Sequence, residues 1–413
     1  MTADTMPTET CPNVFEAGLP SLAYEHLDPE RAHRVIAAAR SRAPIAIGTH
    51  GPEILRYELV RSVLRDPRFQ MPKGMFLAGQ GITSGAIWDR VSASLISLDG
   101  DEHHRLRRLV SKAFTPRATA RLRSTIIEVI TELVERQAVR GRCDVVADIA
   151  RRYPIPIICA LLGIPAEDWE LFSDWTDDIF NAFSWNVAYN SDSILGAWEA
   201  VDAYVDDMVA DRRDALTDDL ISELIGAEHD GDRLAADELR MLVVGLLIAG
   251  TDTTRNQLAA SVQVLCDHPG QWGLLGQHPE LAANAVEETM RHSPIAWGTL
   301  RVALEDVELA GVVIPAGTLV VANTASANRD PTVYHNADQL DITRDGAAMQ
   351  TFGAGMHYCL GANLARLELA EALIVMTRKM PNARRTGPAP WKPLTALTGP
   401  ATLPIEFDVA PTN

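Results

Sequence analysis

Phe352-Gly-Ala-Gly-Met-His-Tyr-Cys-Leu-Gly361 is the stretch on which the reading of this chain turns. It runs directly into ANLARLELAEALIVMTRKM, whose spacing predicts a helix from about Ala362 to residue 380. Cys359 therefore sits at a helix N-terminus, where free N–H groups and the positive end of the helix dipole favour thiolate over thiol and predict a lowered pKa. Gly353 and Gly355 permit tight turning, and Gly361 removes a side chain where the helix start would face a flat ligand. Phe352 is placed to shield the sulfur from water. The five cysteines (11, 143, 159, 266 and 359) are scattered and without CxxC spacing, which fits neither a disulfide framework nor a zinc site. A lone cysteine is more often a buried structural residue, and only the company of Cys359 sets it apart.

Outward from that loop, strand signals lie upstream at 299–323, rich in β-branched residues, and downstream at 394–408. From about 101 to 292 nearly every segment is helical in pattern, broken at Pro116, Pro154, Pro156, Pro165 and the HDGDR stretch near 230. Residues 70–98 are Gly-rich and aperiodic, the pattern of a functional loop. Before them, AIGTH and GPEILRY predict two strands around a turn, and PERAHRVIAAARS and ELVRSVLRDPRF two helices. Residues 1–28 read as an N-terminal arm and 29–413 as a single domain. The expected class is mainly α with a small β part (α+β).

Composition narrows the function. With 37 basic against 55 acidic residues the formal charge is −18, which argues against a nucleic-acid partner. The apolar run Met241–Gly250 falls well short of the about 20 residues that span a bilayer, so no membrane segment is expected. The N-terminus lacks the basic start and apolar core of a secretory signal, and the expected location is the cytoplasm. At 47% hydrophobic, the 413 residues can bury a large core.

Phe352, Gly353, Gly355, His357, Cys359 and Gly361 match, in type and spacing, the signature of the cytochromes P450, the haem-thiolate monooxygenases, and the chain resembles that family over nearly its whole length. The resemblance implies a cytochrome P450-like domain with haem b held between two helices, and Cys359 as the axial thiolate that pushes electron density onto iron. Ala249-Gly250-Thr251-Asp252-Thr253-Thr254 is similar to the family's oxygen-activating helix segment. There, small Ala249 and Gly250 let the helix lie against the cofactor. Thr253 diverts a backbone carbonyl four residues back, and Asp252 relays protons.

Residues 99–117 resemble the helix along the haem edge. At about 100° per residue His103 and Arg107 share one face, while Arg105, Arg108 and Lys112 lie opposite. By resemblance His103 and Arg107, joined by Arg301 and His357, hold the haem propionates, which suit a guanidinium fork. The outward basic face is expected to dock a ferredoxin-type electron donor, because the some 50 residues from the start of the cysteine helix onward leave no room for an attached reductase domain. Glu288 and Arg291, an ExxR pair, resemble the family's structural ion pair, with Arg344 or Arg329 to complete it. Leu340 stands where an aromatic is usual, a local packing departure.

The reading is therefore an O2- and electron-dependent monooxygenase of an apolar small molecule. The alternatives are a peroxide-using haem-thiolate enzyme, against which the Asp252–Thr253 pair argues, and a haem-binding sensor without turnover. By resemblance the pocket is lined by the 70–98 loop, the 171–195 segment with Phe180, Phe183 and Trp185, the helix near Leu246, residues 295–300 including Ile295 and Trp297, and the 395–400 turn.

Overall fold

Proline sets several helix starts, because its missing N–H and fixed φ cost nothing at the first helical position. Pro29, Pro116, Pro154 and Pro269 each stand there, and Asp28 caps the first helix by accepting the Arg31 N–H. The computed structural model describes residues 11–183, 187–227, 234–395 and 397–409. The HDGDR break (229–233) and Trp185 lie outside them.

In chain order the elements are α1 (Pro29–Arg42), β1 (Ile45–Gly48), β2 (Gly51–Ile54), α2 (Tyr57–Val63), β3 (Phe69–Gln70), α3 (Ala86–Ala93), α4 (Gly100–Ser111), α5 (Pro116–Thr119) and α6 (Arg123–Ala138). There follow β4 (Arg142–Asp144), α7 (Pro154–Leu162), α8 (Trp169–Phe180), α9 (Ser191–Asp214), α10 (Leu220–Ala227), α11 (Ala236–Asp267), α12 (Pro269–Gln277) and α13 (Ala282–His292). Last come β5 (Thr299–Ala303), β6 (Val307–Leu309), β7 (Val312–Ile314), β8 (Leu319–Ala322), α14 (Thr324–Ala327), α15 (Ala362–Lys379), β9 (Arg384–Arg385) and β10 (Pro404–Glu406).

The main sheet has the order β1-β2-β8-β5-β3, so residues 45–70 and 299–322 build it together, with only β2 and β8 parallel. A second sheet, β4-β10-β9, and the β6-β7 hairpin complete the small β part. The N-terminal segment joins this part through bridges Asn13–Val313 and Ser21–Ile47, burying Val14 and Leu22.

Among the elements that the sequence does not predict are α3 and β4. The 70–98 segment contains a helix, α3, whose apolar Ile87 and Val91 sit four apart and pack on the helical body. The helical body contains a strand, β4, whose Arg-Cys-Asp sequence carries no apolar alternation and is a strand because it pairs with β10, far along the chain.

At 32 residues α11 is about 48 Å long, enough to cross the whole domain. It is buried on most sides, with Leu242, Val243, Leu247, Leu258, Val262 and Leu265 in the core. Gly245 and Ala249 are exposed and Thr253 half-buried in its middle. Their spacing of four puts them on one accessible stripe, the α11 wall.

Candidate functional site

Gly353 and Gly355 adopt positive φ of 70° and 71°, and a Cβ on Gly355 would stand 2.3 Å from the Leu64 carbonyl oxygen, so the turn requires glycine there. The Cys359 N–H donates to the Phe352 carbonyl at 2.9 Å, closing the loop ahead of α15. Phe352 is buried, with the Arg366 guanidinium 4.5 Å from its ring centre. Around Gly361 the space a side chain would fill is open. Burial raises the Cys359 thiol pKa, opposed by the Gly361 N–H and by Arg107 and Arg366. The sequence predicts the reverse net direction. The helix start does act on the sulfur, but desolvation outweighs it in the protein alone, and coordination to a metal would remove the proton outright.

Beside this loop, side chains from four segments converge. The His103 and His357 rings lie 4.4 Å apart, and His357 Nε2 bonds to Asp99 Oδ1 at 2.8 Å. Asp99 Oδ2 accepts the Met71 N–H at 2.8 Å, and Arg301 Nη1 reaches the Met71 sulfur at 2.7 Å. Arg107 donates to the Tyr358 carbonyl. His103 is buried with neither ring nitrogen bonded, and burial, then His357 and Arg107, push its pKa down to about 4. Burial likewise lowers Arg301 to about 10. An orphaned buried imidazole among two arginines and a second histidine calls for anions. A haem, carrying two propionates at its edge and needing a thiolate below and an open helix face above, fits these residues.

On the α11 wall, Thr253 Oγ1 donates to the Ala249 carbonyl at 2.8 Å, the four-back bond expected of it, while the helix runs on unbroken. Ala249 belongs to the open stripe. Gly250 does not: a Cβ there would stand 2.8 Å from the Ile158 side chain, so its smallness admits α7 rather than a cofactor. Asp252 is buried and turned from the stripe. Arg255 Nε donates to its Oδ1 at 2.5 Å, Asn256 Nδ2 to its Oδ2 at 3.0 Å, and Arg255 also pairs with Asp177 of α8. Sequence reasoning missed Arg255, although its i,i+3 spacing from Asp252 was legible. It also missed Glu368, fully buried in α15 beside Thr254, where burial raises its pKa to about 8.

Glu288 and Arg291 are both buried and bonded through two contacts of 2.7 and 2.8 Å. Arg344 completes the set, its Nε 3.1 Å from each Glu288 oxygen, whereas Arg329 engages Asp338 and His292. On the opposite face of α4, Arg108, Lys112 and nearby Arg117 are exposed. Arg105 is not free to join them, being paired with Glu238 at the start of α11, and Arg366 is paired with Glu287. Of the expected pocket residues, Phe180 and Phe183 lie 6.3 Å apart. Trp297 stacks on His33 at 4.5 Å and Tyr24 at 5.7 Å, beneath α1.

The family model "Cytochrome P450" matches residues 86–271 and 277–379. The chain is 40% identical to mycinamicin IV hydroxylase/epoxidase of Micromonospora griseorubida, covering 85% of this chain and 88% of that protein. It is 37% identical to nocardicin C N-oxygenase of Nocardia uniformis subsp. tsuyamanensis, covering 86% and 89%. The structure of CalO2 superposes with a TM-score of 0.86 at 32% identity, covering 92% and 96%. This is a haem-thiolate oxidoreductase fold carrying the matching loop. The chain belongs to the cytochrome P450 family, a monooxygenase that binds haem through a cysteine thiolate. Among the described residues no helix is long and apolar enough to cross a membrane.

Proposed function

We propose that Cys359 is the axial ligand of haem b and that the protein inserts one oxygen atom from O2 into an apolar small molecule, using electrons from a separate ferredoxin. The observation that carries this is the buried, unbonded His103 ring beside Arg107, Arg301 and His357, next to the Cys359 loop. These four side chains would hold the propionates, Phe352 and Gly353 would shape the loop, and Gly361 and Ala249 would leave room on either side of the ring. When bound, the haem supplies the iron that takes up electrons and activates O2. Thr253 holds a hydroxyl on the α11 wall, where it orients a proton toward the oxygen side. Asp252, clamped by Arg255 and Asn256, donates only when its carboxylate turns from that clamp toward Thr253. The apolar residues around Leu246 and Phe180 exclude bulk water from the reacting carbon.

The donor docks on the exposed Arg108, Lys112 and Arg117, a local positive patch on a molecule of formal charge −18. The relatives are named for oxidising mycinamicin IV and nocardicin C, which supports an organic small-molecule substrate here. The test is isotopic. With reductant, a ferredoxin system and ¹⁸O2, one labelled oxygen should enter product. Turnover with peroxide alone, and none with O2 and reductant, contradicts the reading.

A further inference from the structure

Beside the main sheet, away from the α11 wall, lies a recess of about 30 Å³ that the proposed mechanism does not use. It is lined by Tyr24, Glu25, Glu53, Phe76, Trp297 and Leu394, among others. Those residues come from the N-terminal segment, β2, the 70–98 segment and two of the other stretches expected to border the substrate. The volume exceeds the roughly 10–15 Å³ that one water needs, so a single small polar head fits.

Two carboxylates face this space; the His50 imidazole also lines it and interacts with Glu25, but burial holds its pKa below the ordinary value, and no lysine or arginine among the described residues balances the pair. Glu53 is 2% exposed and Glu25 7%. Tyr24 Oη donates to Glu53 Oε2 at 3.1 Å and Asn323 Nδ2 donates to the same oxygen at 2.7 Å. The other oxygen, Oε1, lies against Gly48, where a Cβ would stand 2.1 Å away. A glycine in β1 thus makes room for a carboxylate oxygen that accepts no hydrogen bond among the described residues. The Glu25 carboxylate accepts the Tyr24 N–H at 3.3 Å and interacts electrostatically with His50. No lysine or arginine pairs with either among the described residues.

A buried carboxylate without a cationic partner is costly, and burial together with Glu25 pushes Glu53 up to about 7 despite the bonds from Asn323 and Tyr24. An independent observation points the same way. Trp297 is 2% exposed, lines the recess, and its Nε1–H is buried without an acceptor. The set therefore lacks a charged donor for two carboxylates and an acceptor for one indole.

We propose that this recess binds a protonated primary or secondary amine of the substrate, held between Glu53 and Glu25, with an adjacent hydroxyl or carbonyl oxygen accepting from Trp297. The amine anchors the molecule at the sheet and leaves its apolar part to extend toward the α11 wall. Specificity comes from the carboxylates, because a neutral head group leaves them unpaired. This rests on the reading of the protein as a small-molecule monooxygenase.

The test is calorimetric titration of the haem-loaded protein with dodecylamine and with dodecanol at pH 8. Dodecylamine should bind about tenfold or more tightly than dodecanol, without a nitrogen-ligated haem spectrum. Glu53→Gln should abolish that preference and Glu25→Gln reduce it, each leaving dodecanol affinity unchanged. The carbon monoxide spectrum of each variant shows that it is folded, and Glu25→Gln decides the matter if Glu53→Gln is not. Equal affinity for the two probes, no binding of dodecylamine, a nitrogen-ligated spectrum, or a preference that survives both substitutions overturns the proposal. None of these results alters the oxygen-labelling outcome, so the amine site and the monooxygenase reading fail separately.

Discussion

A threonine hydroxyl bonded to the carbonyl four residues back is common in helices; what distinguishes Thr253 is that it does so on the one open stripe of α11. Thr251 makes the same bond to Leu247 while wholly buried, so it serves the helix alone. Removing the Thr253 hydroxyl leaves the α11 stripe intact and takes away the group proposed to orient the proton. Thr253→Ala should therefore bind substrate and consume reductant while releasing several-fold more peroxide per product, measured as the ratio of peroxide to product. Unchanged coupling would move the proton relay elsewhere. Asp252→Asn should slow turnover, because an amide cannot take up and pass on a proton, and its NH2 cannot accept from Arg255 or Asn256 as a carboxylate oxygen does.

Among the elements, α13 and the loop before α15 are joined by the Glu288–Arg291–Arg344 set. Glu288 is 3% exposed, and Arg291 also reaches the carbonyls of Asn328, Ala337 and Gln339. Arg344 adds its own bonds to the carbonyls of His335, Asn336 and Gln339. Arg344→Ala leaves the buried Glu288 carboxylate with Arg291 and the Asp341 N–H where it had three partners, one cation instead of two, a change of about 2–3 kcal/mol on the scale of broken buried pairs. Denaturant unfolding should show a loss of that order with faster release of haem, whereas Arg329→Ala should leave Glu288 fully paired and haem retention unchanged. Equal haem loss in both would contradict the assignment. The sequence left these two arginines open because loop geometry, not spacing, selects between them.

At the scale of the whole molecule, the net charge of −18 opposes an acidic electron donor, and only a local patch reverses it. Arg108→Glu with Lys112→Glu should slow reduction at limiting ferredoxin and flatten its salt dependence, since exposed charges are screened within about 8 Å at physiological salt. Identical kinetics across salt would place docking elsewhere. The helical body, the cysteine loop and the α11 segment were legible in the sequence because each is a local pattern of period or spacing. Strand β4 was not, since Arg142-Cys143-Asp144 becomes a strand only by pairing with residues 404–406. The thiol's pKa direction and the Arg105–Glu238 pair likewise depend on packing between distant segments, as does the meeting of Glu25 with Glu53. The central claim is itself of this kind: Cys359, His103 and Thr253, from three separate elements, serve one haem. Its most direct measurement is the absorbance of the reduced protein with carbon monoxide. The account predicts the strongly red-shifted Soret band of thiolate ligation, lost in Cys359→Ala; an unchanged band in that variant would contradict it.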